Sequence, residues 1–182
     1  MSDAKHTDPA PAPDHAAADS GHDLIVSHSI PLTTRSGFEF HVRPVEPADK
    51  EASPIPEVRD SLLEDLIDVD HDHKADYIAL DIDDRTIIAS AMIGASEDKS
   101  EAEVAIVVRS DYKHRGMSWT FLEYVIDEAR RNGIQKLQSI ESRSHHAAIT
   151  LEKEMGFSAK SYPGDPSLML LEFDLTKPRP AT

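Results

Sequence analysis

Cysteine is absent from the 182-residue chain. This absence excludes disulfide bonds, zinc sites built on thiolates and catalysis by a thiol. Long apolar runs are absent as well. The longest is the five residues 104–108, far short of the ~20 that a membrane helix needs, and the N-terminus lacks the apolar stretch of a signal peptide. We therefore expect a cytoplasmic protein without a membrane partner.

Positive charge is scarce. The chain has 19 Lys and Arg against 34 Asp and Glu, which gives a formal net charge of −15. Binding to nucleic acid or to anionic lipid depends on Lys and Arg that neutralise phosphate, so the composition argues against both classes of partner. The same charge would steer a cationic partner toward the surface.

Apolar residues are unevenly distributed along the chain. Residues 1–22 contain no Leu, Ile, Val or aromatic residue. Such a segment buries too little apolar surface to offset the entropy that is lost on ordering. We therefore predict a disordered acidic, Ala- and Pro-rich tail over residues 1–22, one folded domain over residues 23–176 and a frayed C-terminus over residues 177–182.

Strand and helix patterns alternate through the predicted domain. Strand-like apolar runs occur at 24–34, 38–42, 77–82, 87–93, 103–109, 134–140 and 168–175. Helical spacing of apolar residues occurs at 56–68, 117–132 and 145–155. Turn residues at 35–37 and 83–85 predict two hairpins. Strands that alternate with helices indicate an α/β or α+β fold, in which helices pack on a sheet.

The corner between the strand at 103–109 and the following helix carries the clearest functional signal. The first N–H groups of a helix have no internal partner and lie at the positive end of its dipole, which suits an anion. Gly116 lets a phosphate approach the backbone closely, and Lys113, His114 and Arg115 add positive charge. The alternative is a turn glycine beside solvated basic residues. Neither a P-loop nor a dinucleotide fingerprint is present, so a pyrophosphate-bearing ligand of another kind is implied.

The run Lys113-His-Arg-Gly-Met-Ser118 resembles the Gln/Arg-x-x-Gly-x-Gly/Ala motif of the GNAT superfamily of acyl-CoA-dependent N-acyltransferases. Three further landmarks occur in the family's order: the Arg-Pro segment at 40–49, Arg-Asn-Gly-Ile at 131–134 and Glu-Met-Gly-Phe at 154–157. The run Ala-Glu-Val-Ala-Ile-Val-Val-Arg at 102–109 is most similar to the GNAT domain of bacterial protein-lysine acetyltransferases.

The resemblance implies a GNAT fold, a mixed and mostly antiparallel twisted sheet of six to seven strands flanked by about four helices. It also implies an acetyl-CoA site without a metal. The pantetheine arm would pair with main-chain groups of Val107, Val108 and Arg109, and the Val108 N–H would meet the thioester oxygen. The candidates for the pyrophosphate end are Lys113, His114, Arg115, Gly116, Met117, Ser118 and Trp119.

Glu103 is the candidate general base in this reading, because it matches the position of a frequent base in the family. A base is needed because a Lys ammonium, with a pKa of ~10.4, is not nucleophilic at neutral pH. The apolar neighbours of Glu103 in the sequence would raise its pKa and suit it to the task. The alternative is that Glu103 is an outward strand residue in water.

The chain departs from the family pattern at several positions. Lys113 and Ser118 replace the usual ends of the loop motif, which costs little if the main chain makes the contacts. His145 stands where many members have Asn, and Glu152 stands where many have the Tyr that protonates the leaving thiolate. The general acid is therefore unassigned, with water or Tyr162 as substitutes.

One other cluster has the composition of a metal site. The run Asp-Val-Asp-His-Asp-His at 68–73 contains hard and imidazole ligands, but no distant partner residue can be named for it. We interpret it as a solvated acidic loop and predict no metal site.

Three functions remain open at the level of the sequence. The first is transfer of an acetyl group from acetyl-CoA to a protein lysine, by direct attack in a ternary complex. The second is the same transfer to a small amine or amino acid, and the third is a non-catalytic acyl-CoA-binding regulatory domain. Fold alone does not decide among them. A monomer or a homodimer is expected.

Overall fold

One eight-stranded sheet organises the part of the chain that the structure, a computed structural model, describes: residues 29–46, 49, 73–82 and 86–178. The strands are β1 (Ile30–Thr33), β2 (Glu39–Pro44), β3 (Lys74–Asp81), β4 (Ile87–Ala95), β5 (Ala102–Val108), β6 (Lys136–Ser142), β7 (Ser158–Ser161) and β8 (Leu168–Asp174). The helices in these residues are a short 3₁₀ helix (Ser110–Tyr112), α1 (Met117–Arg131) and α2 (His146–Met155).

The strand order is β1-β2-β3-β4-β5-β6-β8-β7. Every neighbouring pair is antiparallel except β5 and β6, which are parallel. Parallel neighbours need a crossover connection, and α1 lies in the segment that provides it. The mixed, mostly antiparallel sheet that the sequence predicted is therefore confirmed.

The strand count differs from the six to seven that were predicted. The additional strand is β7, whose sequence Ser-Ala-Lys-Ser has one partly buried residue, Ala159, and so gives no periodic signal. The strand predicted at 134–140 begins at Lys136, because a turn with Gly133 at φ +80° precedes it. The predicted helix at 56–68 and the predicted tail at 1–22 lie outside the described residues.

The predicted apolar stripe of α1 is buried. Leu122, Val125, Ile126 and Ala129 are each at most 3% exposed, and they belong to one hydrophobic cluster with residues of β2, β3, β4 and β5. Apolar burial of this kind stabilises by about 25 cal/mol per Å², so this face fixes α1, and with it the preceding loop, against the sheet. No helix in the described ranges is long and apolar enough to span a membrane.

The Arg-Pro segment of β2 has a structural explanation. Both terminal nitrogens of Arg43 donate to the two carboxylate oxygens of Asp49 at 2.7 Å, and the pair is buried. The N–H of Glu46 also donates to Asp49, at 2.7 Å. A buried carboxylate that receives a bidentate pair and a backbone N–H is well satisfied. The Arg and the Asp therefore fix the chain where it leaves the sheet.

Candidate active site

The sheet opens into a fork between β5 and β6. Their ladder has two residue pairs, Ala102 with Leu137 and Glu103 with Gln138, although each strand is seven residues long. Beyond these pairs β6 continues beside β8 while β5 continues beside β4. The gap is a cleft of about 670 Å³, and its walls come from β5, the loop after it, α1, β6 and α2.

The loop at one end of the cleft presents main-chain N–H groups. His114 and Gly116 both have left-handed backbone conformations, with φ of 65° and 77°. Gly116 is the N-cap residue of α1, and no side chain caps the first turn of this helix. Alternating left-handed residues before an uncapped helix turn form a concave set of N–H donors that suits an anion. Gly116 and its neighbours therefore have the backbone geometry that suits an anion, and the binding of an anion here stays a prediction.

The β1–β2 hairpin supports this loop from behind. The hydroxyl of Ser36 donates to the carbonyl of Arg115 at 2.6 Å and lies 2.9 Å from the hydroxyl of Thr34. A Cβ on Gly116 would lie 3.3 Å from the Cβ of Thr34. This support was missed from the sequence, because Ser36 and Arg115 are 79 residues apart and no local pattern links them.

The basic residues of the loop have different surroundings. The guanidinium carbon of Arg115 lies 5.2 Å from the ring centre of Phe38 and 4.9 Å from that of Tyr112. Arg109 donates to the Asp111 carboxylate at 3.1 and 2.7 Å. Lys113 and His114 are exposed and line the cleft. The two residues with their side chains at the cleft are therefore Lys113 and His114, whereas Arg115 packs on aromatic rings.

Of the three predicted pantetheine-binding residues, Arg109 has its main-chain groups already engaged. Its N–H donates to the carbonyl of Ile88 on β4 at 3.0 Å, and its carbonyl accepts from the N–H of Tyr112 at 3.1 Å. Main-chain groups alternate in direction along an antiparallel strand, so the N–H of Val108 points away from β4, toward the cleft. Val107 and Val108 both line the cleft.

The first residues of α1 divide between the core and the cleft. Met117 is 1% exposed and belongs to the core, so only its main chain can face a ligand. Ser118 and Trp119 line the cleft. The guanidinium carbon of Arg35 lies 5.0 Å from the centre of the Trp119 ring, and the buried indole nitrogen has no hydrogen-bond partner among the described residues.

Glu103 lies at the apex of the fork, in the last pair of the β5–β6 ladder. Its neighbours in the strand, Ala102 and Val104, are buried on the other face of the sheet, while Glu103 itself is exposed. Strand alternation turns this carboxylate away from its apolar neighbours, which agrees with the alternative of an outward strand residue. Its role as a base stays a prediction that rests on its position.

Glu152 is the buried carboxyl of the cleft. It is 7% exposed, and the hydroxyl of Ser139 on β6 donates to its Oε2 at 2.5 Å. Burial raises the pKa of Glu152 to about 7, the hydrogen bond from Ser139 opposes this shift, and the nearby negative charge of Glu141 adds to it. The sequence singled Glu152 out only as a substituted position. Its burial and its partner Ser139 were missed.

The mouth of the cleft near α2 carries a second pair of titratable groups. His145 and Glu141 line the cleft, and the Nδ1 of His145 lies 3.0 Å from Oε2 of Glu141. Within the described residues, no group of three or more His, Asp or Glu side chains is arranged to hold a metal ion. Of the predicted acidic run at 68–73, the structure describes His73 alone.

A parallel fork beside an uncapped helix turn suits an extended ligand with an anionic end. Comparisons with known proteins identify the class of protein. The sequence model of the acetyltransferase (GNAT) family matches residues 42–157. The chain therefore belongs to this family of acyltransferases, whose fold takes acyl-CoA as its co-substrate.

The chain is also similar to three individual proteins. It is 29% identical to an acetyltransferase of Pseudomonas aeruginosa over 64% of this chain and 60% of the relative. The GNAT domain of S. lividans PAT superposes with a TM-score of 0.68 at 20% identity, over 80% of this chain and 96% of that one. A cAMP-binding acyltransferase from Mycobacterium smegmatis superposes with a TM-score of 0.62 at 25% identity, over 81% of this chain and 47% of that one.

Proposed function

We propose that the chain transfers an acetyl group from acetyl-CoA to the primary amine of a protein lysine, by direct attack within a ternary complex. The observation that carries this proposal is the fork. A ladder of two residue pairs opens into a cleft that ends at the uncapped first turn of α1. An extended thioester with a diphosphate at one end matches that shape and that set of donors.

Three sets of groups in the chain suit acetyl-CoA and the proposed reaction. The N–H groups of residues 114–118 and the Lys113 ammonium suit the diphosphate. The N–H of Val108, directed into the cleft, is placed to stabilise negative charge on the thioester oxygen. Glu103, exposed at the fork apex, can accept the proton that the attacking amine loses. Acetyl-CoA supplies the activated acyl group, and the protein supplies position, an oxyanion donor and a base.

The choice of a protein lysine rests on two supports. The 102–109 run is most similar to the GNAT domain of protein-lysine acetyltransferases, and the net charge of −15 favours encounter with a cationic surface. The chain spans 60% of the length of the P. aeruginosa acetyltransferase and 47% of the M. smegmatis protein. A small cationic amine is the competing acceptor, since the same charge attracts it.

The test is mass spectrometry of a cell lysate incubated with isotope-labelled acetyl-CoA and the protein, with a protein-free sample as control. The expected result is label on the lysine side chains of proteins, above that control. Label confined to small amines would replace the protein acceptor with a metabolite. Binding of acetyl-CoA without release of CoA in the lysate and in a panel of amines would leave a regulatory domain instead of an enzyme.

A further inference from the structure

Glu152 is a carboxyl buried without a cation. The structure shows no salt bridge to it within the described residues, and its polar contact is the hydroxyl of Ser139 at 2.5 Å. An ionised carboxylate in such a place would be poorly stabilised, so the group keeps its proton to higher pH than an exposed Glu. The pKa of about 7 that burial produces agrees with this geometry.

The cleft wall contains four other titratable side chains in the described residues, and none has these properties. Lys113 and His114 are exposed at the anion-binding loop. Glu141 and His145 lie against each other at 3.0 Å. Across the cleft, β5 and α1 present Val104, Ile106, Val108, Trp119 and Leu122. Glu152 is thus the buried carboxyl that lines the cleft in a largely apolar wall.

The departing group of the transfer needs a proton. We propose that the carboxylic acid of Glu152, held by Ser139, protonates the sulfur of CoA as it leaves. This inference rests on the proposed function and assigns an acid to it. It also gives a role to the residue that stands where many family members carry a Tyr.

The step balances as follows. The amine nitrogen forms a bond to the carbonyl carbon, and the carbon–sulfur bond breaks with its electron pair on sulfur. The O–H of Glu152 passes its proton to that sulfur, which leaves CoA as a thiol and Glu152 as a carboxylate. The nitrogen loses its proton to Glu103 or to water. Glu152 then regains a proton from water in the open cleft, while Ser139 donates a hydrogen bond to the carboxylate in the interval.

The central experiment compares Glu152→Gln with Glu154→Gln. Glu154 lies two residues further along α2 and is exposed, so its variant controls for loss of a carboxylate in this helix. For Glu152→Gln we expect turnover to fall about 100-fold, with acetyl-CoA affinity unchanged. The fall in wild-type turnover at high pH should also disappear from the profile of this variant. Glu154→Gln should behave as wild type.

A second measurement needs no turnover, so it also separates this proposal from the proposed function. The bound thiol of CoA is titrated by its ultraviolet absorbance in wild type and in Glu152→Gln. A carboxylate next to the sulfur disfavours the thiolate, so removal of this carboxylate should lower the pKa of the bound thiol by about one unit or more.

The outcomes are distinct. A thiol pKa that is the same in both proteins places Glu152 away from the sulfur and overturns the proposal, whatever the turnover. Turnover of Glu152→Gln equal to that of Glu154→Gln overturns it as well. If wild type transfers no acetyl group, the proposed function fails, but the thiol titration still decides where Glu152 lies. Melting curves of both variants, with Glu152→Asp as a second substitution, show whether a loss reflects misfolding.

Discussion

The two sides of the fork are built on different physical principles. The β5 side and its loop present main-chain N–H groups and the exposed side chains of Lys113 and His114 to the cleft, with the exposed Glu103 at the fork apex. The β6–α2 side meets it with one buried carboxyl, Glu152, set among apolar residues and tied to Ser139. The first side keeps its charges in water, whereas the second has taken a titratable group out of water.

This difference determines how each side responds to substitution. Main-chain N–H donors are kept when most side chains are replaced. The β5 side should therefore tolerate replacement of its cations and lose activity only when the backbone or the proposed base is changed. A buried carboxyl depends on its own solvation and on its one polar partner, so changes at Glu152 should alter both pH dependence and stability. The predictions below test this contrast in decreasing order of effect.

The largest effect is expected at Glu103, the exposed carboxylate at the fork apex. Replacement by Gln removes the group that we propose accepts the amine proton, and general-base catalysis contributes typically 10²–10⁴-fold. We expect kcat to fall by about 100-fold or more while the Kd for acetyl-CoA is unchanged. The measurement is steady-state kinetics beside a binding titration.

Glu101→Gln is the matched control for Glu103, because Glu101 is an exposed carboxylate two residues away. A surface pair such as Glu101 with Lys136 is worth roughly 0–1 kcal/mol, so this variant should keep its activity. Equal kcat values for the two variants would mean that Glu103 is an ordinary solvated strand residue.

The second effect is on stability and belongs to the buried side. The pKa of Glu152 is about 7 in the folded protein, against an ordinary 4.5, so the folded state holds a proton that the unfolded state releases between those values. The contribution of Glu152 to the free energy of unfolding therefore falls as pH rises from 4.5 to 7 and is constant above. Glu152→Gln lacks this penalty, so we expect it to be more stable than wild type above pH 7, by at most about 3 kcal/mol.

Urea unfolding at about pH 5 and about pH 8 measures this difference. The advantage of Glu152→Gln should be small at the lower pH and large at the higher one. Glu154→Gln should differ from wild type by a constant amount, because that residue is exposed. A pH-independent difference for Glu152→Gln would show that the carboxyl titrates alike in the folded and unfolded states.

The third effect concerns the backbone of the loop. Gly116 has a φ of 77°, and a Cβ there would lie 3.3 Å from Thr34. Gly116→Ala should therefore lower the free energy of unfolding by roughly 1–2 kcal/mol, because a Cβ is strained at this φ. We also expect the variant to bind acetyl-CoA about 10-fold more weakly, which corresponds to a loss of about 1.4 kcal/mol in binding free energy. Gly133→Ala is the control, because Gly133 has a φ of 80° with nothing within 4 Å of the added Cβ.

Thermal unfolding and calorimetric titration with acetyl-CoA separate the two contributions. Both glycine variants should lose stability, but only Gly116→Ala should lose affinity. If the two variants bind acetyl-CoA equally, the loop does not form the anion site.

Whether a feature could be predicted from the sequence depends on how far apart its interacting residues lie in the chain. The stripe of α1, the turn at Gly37 and the turn glycine Gly116 before α1 depend on neighbours within a few residues, so local patterns reveal them. Strand β7 has too few apolar residues to give a pattern. The exposure of Glu103 depends on which face of β5 meets α1, so the sequence left both an apolar setting and an outward position open.

The features that could not be predicted join distant segments. Ser36 reaches Arg115 across 79 residues, and Ser139 reaches Glu152 from a different element. Neither contact leaves a periodic or compositional trace. Glu152 was visible in the sequence only as a departure from the family pattern, and its burial in the cleft wall and its hydrogen bond from Ser139 became visible in the structure.

The smallest effect should come from Lys113, the exposed cation of the loop. In the proposed anion site its ammonium adds to the main-chain donors, and an exposed charge contributes roughly 0.2–1 kcal/mol. Lys113→Gln should therefore weaken acetyl-CoA binding about 3-fold at low salt, and the difference should vanish near 1 M salt, where the Debye length is about 3 Å. Lys99→Gln, on the turn between β4 and β5, removes the same charge elsewhere and controls for net charge. A loss of 100-fold that survives high salt would mean that the side chain, not the backbone, holds the diphosphate, and the contrast between the two sides of the fork would fail.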